Sequence, residues 1–411
     1  MIPVEEALEQ ILSYFDILET EDEETLDCLG RVLASDIHST IDIPPMDNTA
    51  MDGYAVQAES TAGAGKASPV ILRVIGEVAA GYLTAEKVTP GTAIRIMTGA
   101  PIPKGADAVV QFEDTDEEKR WARNEPLTDI GILREAEKGL NIRRAGEDIA
   151  SGSLVLKKGT LLRPQEIGVL ASLGCDVVPV IRRPVVAILA TGDELVEPGK
   201  PLSPGKIYSS NTYSLAAQVT RYGGIPQILG IARDDVRALE DKIKQARDAD
   251  MLITSAGVSV GDYDMVKDVL ASHGEIAFWT VRMKPGKPLA FGHIAGVPVL
   301  GLPGNPVSVM VSFEMFARPA LLKMQGLKDW QRPVVTAKLM DGIEHKDGRR
   351  HFVRVRLLWE DGEYRAHLTG AQGSGILSSM VMANALAIIP EDWDSAPAGS
   401  RVQVLMLECR A

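Results

Sequence analysis

Between residues 184 and 327 the sequence alternates continuous apolar runs with helical stretches, and this alternation restricts the fold more than any other feature. The runs at residues 185–190, 225–231 and 251–254 are typical of strands that are buried on both faces. A helical pattern follows each run, and strands that alternate with helices indicate parallel β-α-β units. The sequence therefore predicts a doubly wound, mostly parallel α/β domain over residues 184–327.

A Ser/Gly loop follows the third of these runs, and a helical pattern begins after it. Backbone N–H groups at such a corner and the positive end of the helix both attract anions. The alternative interpretation is an ordinary tight turn. As anion-site residues, the loop offers Ser255, Gly257, Ser259 and Gly261.

A second corner of the same kind begins after residues 299–302. Its Pro-Gly-Asn-Pro loop is rigid, with Asn305 predicted as the N-cap and Pro306 as the first helical residue. Lys284 and Lys287 precede it in Lys-Pro-Gly-Lys-Pro, which is either a pair of ligand-binding cations or a solvated turn. Because parallel strands end at one edge of the sheet, we predict a phosphate-bearing ligand there. The second corner contributes Pro303, Gly304, Asn305, Pro306 and Ser308.

Three carboxylates are predicted at this same edge. Asp264 lies at the start of the helix after the Ser/Gly loop, and Asp234 follows the second apolar run. A carboxylate beside a phosphate is repulsive unless a divalent cation lies between them, and oxygen ligands suit Mg²⁺. Asp234 and Asp264 are therefore the predicted metal ligands. Glu194 follows Thr-Gly-Asp at the end of the first run, where it either contacts a ligand or caps a helix.

The rest of the chain indicates two small β-domains and a connecting region. Short strand-like runs between Gly/Pro turns are typical of a small barrel or sandwich. Helical patterns occur at residues 4–16 and 24–40. The predicted segments are 1–46 continued by 140–183 (connecting), 47–139 (β), 184–327 (α/β) and 328–411 (β).

The composition excludes several classes of protein. A formal net charge of −13 disfavours a general binder of nucleic acid or of anionic membranes. Three dispersed cysteines without a CxxC motif, and histidines without an HExxH motif, disfavour a disulfide framework and a structural zinc site. The N-terminal residues do not resemble a signal peptide, and no apolar run reaches membrane-spanning length. We therefore expect a cytoplasmic protein.

Five further candidates lie outside the α/β domain, and each has a plain structural alternative. Asp52 and Thr98 belong to a different predicted domain, and Asp148 lies beside an Arg pair that resembles an exposed ion network. Arg354 alternates with Arg356 on a predicted strand, where both could face solvent. Ser374 lies in Gln-Gly-Ser-Gly, a typical turn sequence.

Seven motifs occur together and in order along the chain. They are Asp-Asn-Thr-Ala-Met-Asp-Gly-Tyr-Ala-Val (47–56), Arg-Ile-Met-Thr-Gly-Ala-Pro (95–101), Arg-Arg-Ala-Gly-Glu-Asp-Ile (143–149), Thr-Gly-Asp-Glu-Leu (191–195), Gly-Val-Ser-Val-Gly (257–261), Lys-Pro-Gly-Lys-Pro (284–288) and Leu-Pro-Gly-Asn-Pro-Val-Ser (302–308). The set resembles the MoeA family of molybdopterin molybdenumtransferases, which includes the gephyrin E domain. The resemblance spans essentially the whole chain.

The resemblance implies an elongated homodimer of four-domain subunits, with the connecting region in dimerisation. Its implied reaction takes adenylylated molybdopterin and molybdate, releases AMP and leaves molybdenum on the dithiolene. By the same resemblance, residues 255–261, Asp234 and Asp264 would hold the nucleotide and the pterin phosphate with Mg²⁺, and Glu194 would line the pterin pocket. The implied molybdate and dithiolene contacts are Lys284, Lys287, Pro303, Pro306, Arg354 and Ser374. Asp52, Thr98 and Asp148 would reach a cleft on the other subunit.

Two residues depart from the family pattern. Ala256 replaces a usual glycine, and Met265 stands where tyrosine is common. No fused adenylyltransferase domain is visible, so we expect a separate adenylyltransferase to supply the substrate and separate molybdoenzymes to accept the product. Two rival functions are an adenylyltransferase that activates molybdopterin with ATP and a non-catalytic scaffold of the gephyrin kind.

Overall fold

The computed structural model describes residues 1–232, 236–256 and 274–408. Contacts divide the chain into two compact units. The first comprises Met1–Glu23, Asp27–Ala34 and Pro179–Ala411, and the second comprises Glu24–Leu26 and Ser35–Val178. The predicted α/β and C-terminal β segments therefore lie in one unit, and the four-domain division remains a prediction.

A six-stranded mixed sheet forms the centre of the first unit. In spatial order its strands are Ile225–Ala232, Val185–Thr191, Met251–Ser255, Val297–Leu302, Pro288–Ile294 and Gly274–Thr280. The first four strands are parallel, and the last two add antiparallel pairs. This agrees with the predicted mostly parallel sheet.

Both faces of this sheet are buried under helices. Successive side chains of a strand point to opposite faces, so neighbouring residues belong to different core clusters. Val186 and Ile188 belong to a core cluster that also contains residues of the helices Val4–Leu12 and Ser210–Arg221. The helical segments Pro306–Ser312, Phe313–Ala317 and Arg318–Met324, which follow one another directly, contribute to the same cluster. Ala187 and Leu189 face the opposite cluster, which includes residues of the helix Val236–Gln245. Helices on both faces make the sheet doubly wound.

The parallel register brings three strand ends to one edge. Ser255 pairs with Ala190 on one side and with Leu302 on the other. The loops that begin at Gly192, Ala256 and Pro303 consequently leave the sheet side by side.

The C-terminal strands close into a five-stranded ring. Its strands in order are Arg350–Glu360, Glu363–Leu368, Val334–Leu339, Arg401–Met406 and Ala385–Ile389, and the last pairs again with the first. The short strand Met283–Lys284 joins this ring by parallel pairing with Arg350 and His351. The Lys-Pro-Gly-Lys turn is thus attached to the C-terminal barrel as well as to the central sheet.

The second unit is built mainly from β-structure. Its largest sheet contains Ala108–Gln111, Gly53–Val56, Thr92–Ile96, Val70–Val78 and Asp129–Ile132. The helices Glu117–Ala122 and Pro164–Ser172 also belong to this unit. Shorter strands elsewhere in the chain are Thr20–Glu24, Ile37–His38, Asn48–Thr49, Ile142–Arg143, Leu154–Leu156, Val177–Ile181, Leu195–Val196, Ile207–Tyr208, Ile343–Glu344 and Ser395–Ala396.

Two helix predictions are wrong in detail. Within the predicted helix at 24–40, only the 3₁₀ turn Thr25–Cys28 forms, because Gly30 adopts the left-handed conformation and Leu33 bridges to Val180 as extended chain. The N-terminal helix ends at Leu12. None of the helices in the described ranges is both long and apolar enough to cross a membrane.

Candidate functional site

A cavity of about 920 Å³ lies at the edge of the sheet where the parallel strands end. Loops from the central sheet, the Lys-Pro-Gly-Lys turn and a C-terminal loop all contribute to it. Ten of the predicted site residues line this cavity: Glu194, Ser255, Lys284, Lys287, Pro303, Gly304, Asn305, Pro306, Ser308 and Ser374. The first residues of the Ser/Gly loop, the second corner and the lysine pair therefore meet at this cavity.

Five predicted residues cannot be placed. Gly257, Ser259, Gly261, Asp234 and Asp264 lie outside the described residues. The Mg²⁺ site and most of the Ser/Gly loop therefore remain predictions from the sequence.

The second corner has the predicted backbone but a different capping arrangement. Asn305 occupies the N-cap position and Pro306 is the first helical residue, yet the Asn305 side chain forms no capping hydrogen bond. The loop is instead held from outside, since Asn211 Nδ2 donates to the Gly304 carbonyl oxygen at 2.8 Å and the Val307 amide donates to the Ser374 carbonyl oxygen at 3.0 Å. The exposed Asn305 side chain is left available for a ligand.

Ala256 lies where its loop touches the second corner. Its amide donates to the Leu302 carbonyl oxygen at 3.1 Å, and its backbone φ is +78°, in the left-handed region. A β-carbon added to Gly304 would lie 3.2 Å from the Ala256 β-carbon, so Gly304 allows the two loops to approach closely. An alanine in the left-handed region is strained by about 1–2 kcal/mol.

We expect Ala256→Gly to increase the free energy of unfolding by about 0.5–1 kcal/mol, because the relief of strain exceeds the larger entropy of glycine in the unfolded chain. Urea denaturation measures this change. Ala383→Gly is the matched control, since φ at Ala383 is −85° and the substitution relieves no strain. A loss of stability in Ala256→Gly would contradict the assignment of strain to this residue.

The lysine pair is divided into two environments. Lys284 Nζ lies 3.2 Å from Asp347 Oδ2, with the lysine side chain 49% exposed. Lys287 is exposed and forms no ion pair with a described residue. Arg349, which also lines the cavity, donates to Asp347 Oδ2 at 2.5 Å. Three cationic side chains therefore surround this end of the cavity.

Asp347 is an ionised carboxylate that contacts two cavity-lining residues, Lys284 and Arg349. Burial alone raises its pKa, but hydrogen bonds from Arg349, His351 and Lys284 outweigh burial and lower the pKa below its usual value. An ionised Asp347 holds both Lys284 and Arg349 in position, and one carboxylate among three cations leaves a net positive charge. The remaining positive charge suits a phosphate or another oxyanion.

Arg354 is not among the residues that line the cavity, and the alternative that it faces solvent is wrong; its contact with a ligand stays a prediction. Its side chain is fully buried, with Nε donating to Ser379 Oγ and Nη2 donating to the Gly373 carbonyl oxygen, both at 3.0 Å. Burial lowers the pKa of its guanidinium. Arg354 therefore positions the loop whose next residue, Ser374, lines the cavity.

Glu194 is exposed at the cavity wall. A side chain at Gly192 would collide with its carboxylate, so the glycine lets Glu194 fold back over the strand end. This favours a ligand-contacting residue over the alternative of a helix cap, because the next helix begins only at Ser210. Asn211 lies in the first turn of that helix, and its side chain donates to the Gly304 carbonyl oxygen.

Three predicted residues lie in the second unit, in two places. Asp52 Oδ1 accepts hydrogen bonds from the Thr98 amide at 2.6 Å and the Thr98 hydroxyl at 2.8 Å. These bonds keep the pKa of Asp52 below its usual value. Asp148 lines a separate cavity of about 490 Å³ with Asn48 and Arg143.

Among the residues at or beside the main cavity that the sequence did not predict as site residues, four have a charged or amide side chain. Asn211, Arg349 and Gln372 line it, and Asp347 holds Lys284. The dense polar sequence His345-Lys-Asp-Gly-Arg-Arg-His351 was the available signal. This segment lies beside the cavity only because the strand Met283–Lys284 pairs with the barrel, and no local sequence pattern predicts that pairing.

Comparison with protein families matches three consecutive parts of the chain. Residues 2–174 match the MoeA N-terminal region (domain I and II). Residues 187–323 match a probable molybdopterin binding domain, and residues 336–407 match the MoeA C-terminal region (domain IV).

Similar proteins and structures agree with these matches. The chain is 42% identical to molybdopterin molybdenumtransferase 2 of Mycobacterium tuberculosis, over 91% of this chain and 92% of the relative. It is 36% identical to the molybdopterin molybdenumtransferase of Bacillus subtilis, over 99% and 94%. The structure of a molybdopterin biosynthesis MoeA protein from Pyrococcus horikoshii superposes with a TM-score of 0.81 at 35% identity, covering 99% of this chain and 100% of that one. The chain therefore belongs to the MoeA family, the molybdopterin molybdenumtransferases.

Proposed function

We propose that the protein inserts molybdenum from molybdate into adenylylated molybdopterin, releases AMP, and uses the 920 Å³ cavity as the binding site for these anions. The observation that carries this proposal is the convergence of Lys284, Lys287 and the Pro303–Pro306 corner around that one cavity. Arg349 adds a third cation. Molybdate and the phosphate groups of the substrate are all anions, so the binding of each requires cationic side chains.

The chemistry needs little from a protein nucleophile. The attacking group is a molybdate oxygen or a dithiolene sulfur, so the protein acts by holding the two substrates in contact. Lys284, Lys287 and Arg349 stabilise the negative charge that develops during the transfer. Ser255, Ser308 and Ser374 line the same cavity and offer hydroxyl donors.

Mg²⁺ is part of the proposal, with Asp234 and Asp264 as its ligands. Two carboxylates are the oxygen donors that Mg²⁺ prefers, and the ion would offset the phosphate charge of the leaving group. Ser255 and Ala256 begin the loop that leads toward Asp264, and both line the cavity.

The direct test is AMP release from adenylylated molybdopterin. We expect release to require Mg²⁺ and to rise when molybdate is added. ATP consumption without AMP release from the adenylylated pterin would instead support an adenylyltransferase. Absence of both reactions in a folded, pterin-binding protein would support a scaffold.

We further propose a homodimer in which Asp52, Thr98 and Asp148 serve a cleft shared with the second subunit. The support is chemical: Asp52 is a carboxylate fixed by hydrogen bonds from Thr98, and Asp148 is a carboxylate that lines a second cavity. The four-segment domain division belongs to the same proposal, as do a separate adenylyltransferase and separate molybdoenzyme acceptors. A cytoplasmic location also belongs to the proposal, since the three dispersed cysteines of the sequence lack a CxxC motif.

A heterodimer tests the shared cleft. One subunit carries Asp52→Ala, the other carries Asp264→Ala, and each has a different affinity tag for isolation of the mixed species. If each site takes Asp52 from one subunit and Asp264 from the other, one of the two sites stays intact and about half of the wild-type AMP release should return. The two mutant homodimers are the low-activity references. Activity no greater than theirs would place each complete site within one chain.

A further inference from the structure

Two histidines and an aspartate cluster where the loop after the strand Ile343–Glu344 enters the strand Arg350–Glu360: His345 and Asp347 lie in the loop and His351 on the strand. One ligand atom from each of His345, Asp347 and His351 lies within 4.8 Å of the others. His351 Nε2 is 3.0 Å from Asp347 Oδ1, and His345 Nδ1 is 3.8 Å from the same oxygen. Three atoms of the types that bind metals therefore face one small volume.

His345 has a buried ring nitrogen without a hydrogen-bond partner. Its Nε2 lies 2.9 Å from the Pro390 carbonyl oxygen, and because a carbonyl only accepts, Nε2 must carry the ring proton. Nδ1 then holds a lone pair. Its side chain is 0% exposed, and Nδ1 has no hydrogen-bond partner among the described residues. Such an unsatisfied acceptor costs about 1–3 kcal/mol, so its burial requires an explanation.

The surroundings of the cluster resemble those of known metal ligands. A metal-binding histidine usually donates its second ring N–H to a carbonyl or carboxylate, as His345 does to Pro390. Asp347 is held by its other oxygen, since Lys284 and Arg349 both bind Oδ2. Asp347 Oδ1 is thereby directed toward the two imidazoles. His351 Nε2 donates its proton to Asp347 Oδ1 in the metal-free protein, so metal binding would require that proton to move to Nδ1.

We propose that His345 Nδ1, Asp347 Oδ1 and His351 Nε2 bind one divalent transition-metal ion, with Zn²⁺ the best match. Two imidazoles and a carboxylate suit Zn²⁺, Co²⁺ or Ni²⁺ and do not suit Mg²⁺, which prefers oxygen ligands. Three protein ligands leave a fourth tetrahedral position open. The side chain of Asp347 is 28% exposed, which gives the ion access from solvent.

This site differs from the proposed Mg²⁺ site in every ligand and does not depend on it. The two cationic neighbours of Asp347 limit the affinity, because they oppose a second positive charge nearby. The same carboxylate binds Lys284 through Oδ2, so the ion would share Asp347 with a lysine of the main cavity.

The test is a Co²⁺ titration of the full-length protein after removal of metals with a chelator and gel filtration, in a buffer with excess Mg²⁺. We expect one equivalent of Co²⁺ to produce visible d–d absorption of a low-coordinate nitrogen/oxygen site, and one equivalent of Zn²⁺ to remove it. His345→Gln should weaken Co²⁺ binding at least 100-fold, because the glutamine amide replaces Nε2–H toward Pro390 but supplies nothing in place of Nδ1. His351→Gln should do the same.

His367→Gln is the matched control, because His367 lies on the neighbouring barrel strand outside the cluster. The His367→Gln variant should bind Co²⁺ as tightly as the wild-type protein. Circular dichroism confirms that each variant is folded. A wild-type protein without saturable Co²⁺ absorption overturns the proposal regardless of how the variants behave. Binding that survives both His345→Gln and His351→Gln also overturns it. None of these measurements uses AMP release, so the outcome is independent of the proposed activity.

Discussion

Replacing Lys284 with alanine should weaken the use of molybdate by roughly 1.5–3 kcal/mol, which corresponds to about a 10- to 150-fold rise in the half-saturating concentration. The reason is the loss of a charge-assisted hydrogen bond to an oxyanion in a cavity that Lys284 lines. The measurement is AMP release from adenylylated molybdopterin across a molybdate titration.

Folding should be almost unaffected by the same substitution. Asp347 keeps its contacts with Arg349 and His351, and the Lys284–Asp347 pair is half exposed and contributes no more than about 1 kcal/mol. Lys328→Ala is the matched control, because this exposed lysine lies in the same unit and does not line the cavity. An unchanged molybdate titration in Lys284→Ala would mean that the lysine serves only as a partner for Asp347.

Replacing Arg354 with alanine should lower the free energy of unfolding of the first unit by about 3–5 kcal/mol. The substitution leaves the Gly373 carbonyl oxygen and the Ser379 hydroxyl without their buried donor, at about 1–3 kcal/mol for each group, and removes the packing of a fully buried side chain. Urea denaturation monitored by tryptophan fluorescence measures the change.

Two variants distinguish the loss of the buried hydrogen bonds of Arg354 from a general effect of removing an arginine. Arg356→Ala, two residues along the same strand and exposed, should change stability by less than about 0.5 kcal/mol. Arg354→Lys keeps the charge but lacks the planar guanidinium, so it should recover only part of the stability. If Arg354→Ala were as stable as Arg356→Ala, the loop at Gly373 would have to be held by other contacts.

Local patterns were sufficient for the central sheet and for one wall of the cavity. The strand Met251–Ser255 is an uninterrupted apolar run, and Asn305-Pro306 starts a helix for reasons that lie in those two residues alone. Because parallel strands end together, the shared position of Ser255 and Pro303 follows from strand order without any knowledge of side-chain contacts.

Long-range pairing was the part that could not be predicted. Arg354 and Arg356 have the same spacing and charge in the sequence, yet only Arg354 is covered, by a loop that returns about 20 residues later. The failure of the predicted helix at 24–40 has a similar origin, since Leu33 bridges to Val180, a partner far away in the chain. Asp347 was overlooked because its significance depends on Lys284, 63 positions away.

The attachment of the strand Met283–Lys284 to the C-terminal barrel has a consequence for ligand selectivity. Lys284 and Arg349 are attached to the barrel strand Arg350–Glu360, whereas Ser255 and Asn305 lie at the ends of central-sheet strands, so the width of the gap between them depends on how the two layers pack. Substitutions in the barrel core, at Val353 for example, would then change which size of oxyanion fits the cavity, although these residues do not contact the oxyanion. Selection for a larger or smaller oxyanion would in that case substitute apolar residues of the barrel core and leave the charged residues that contact the oxyanion unchanged.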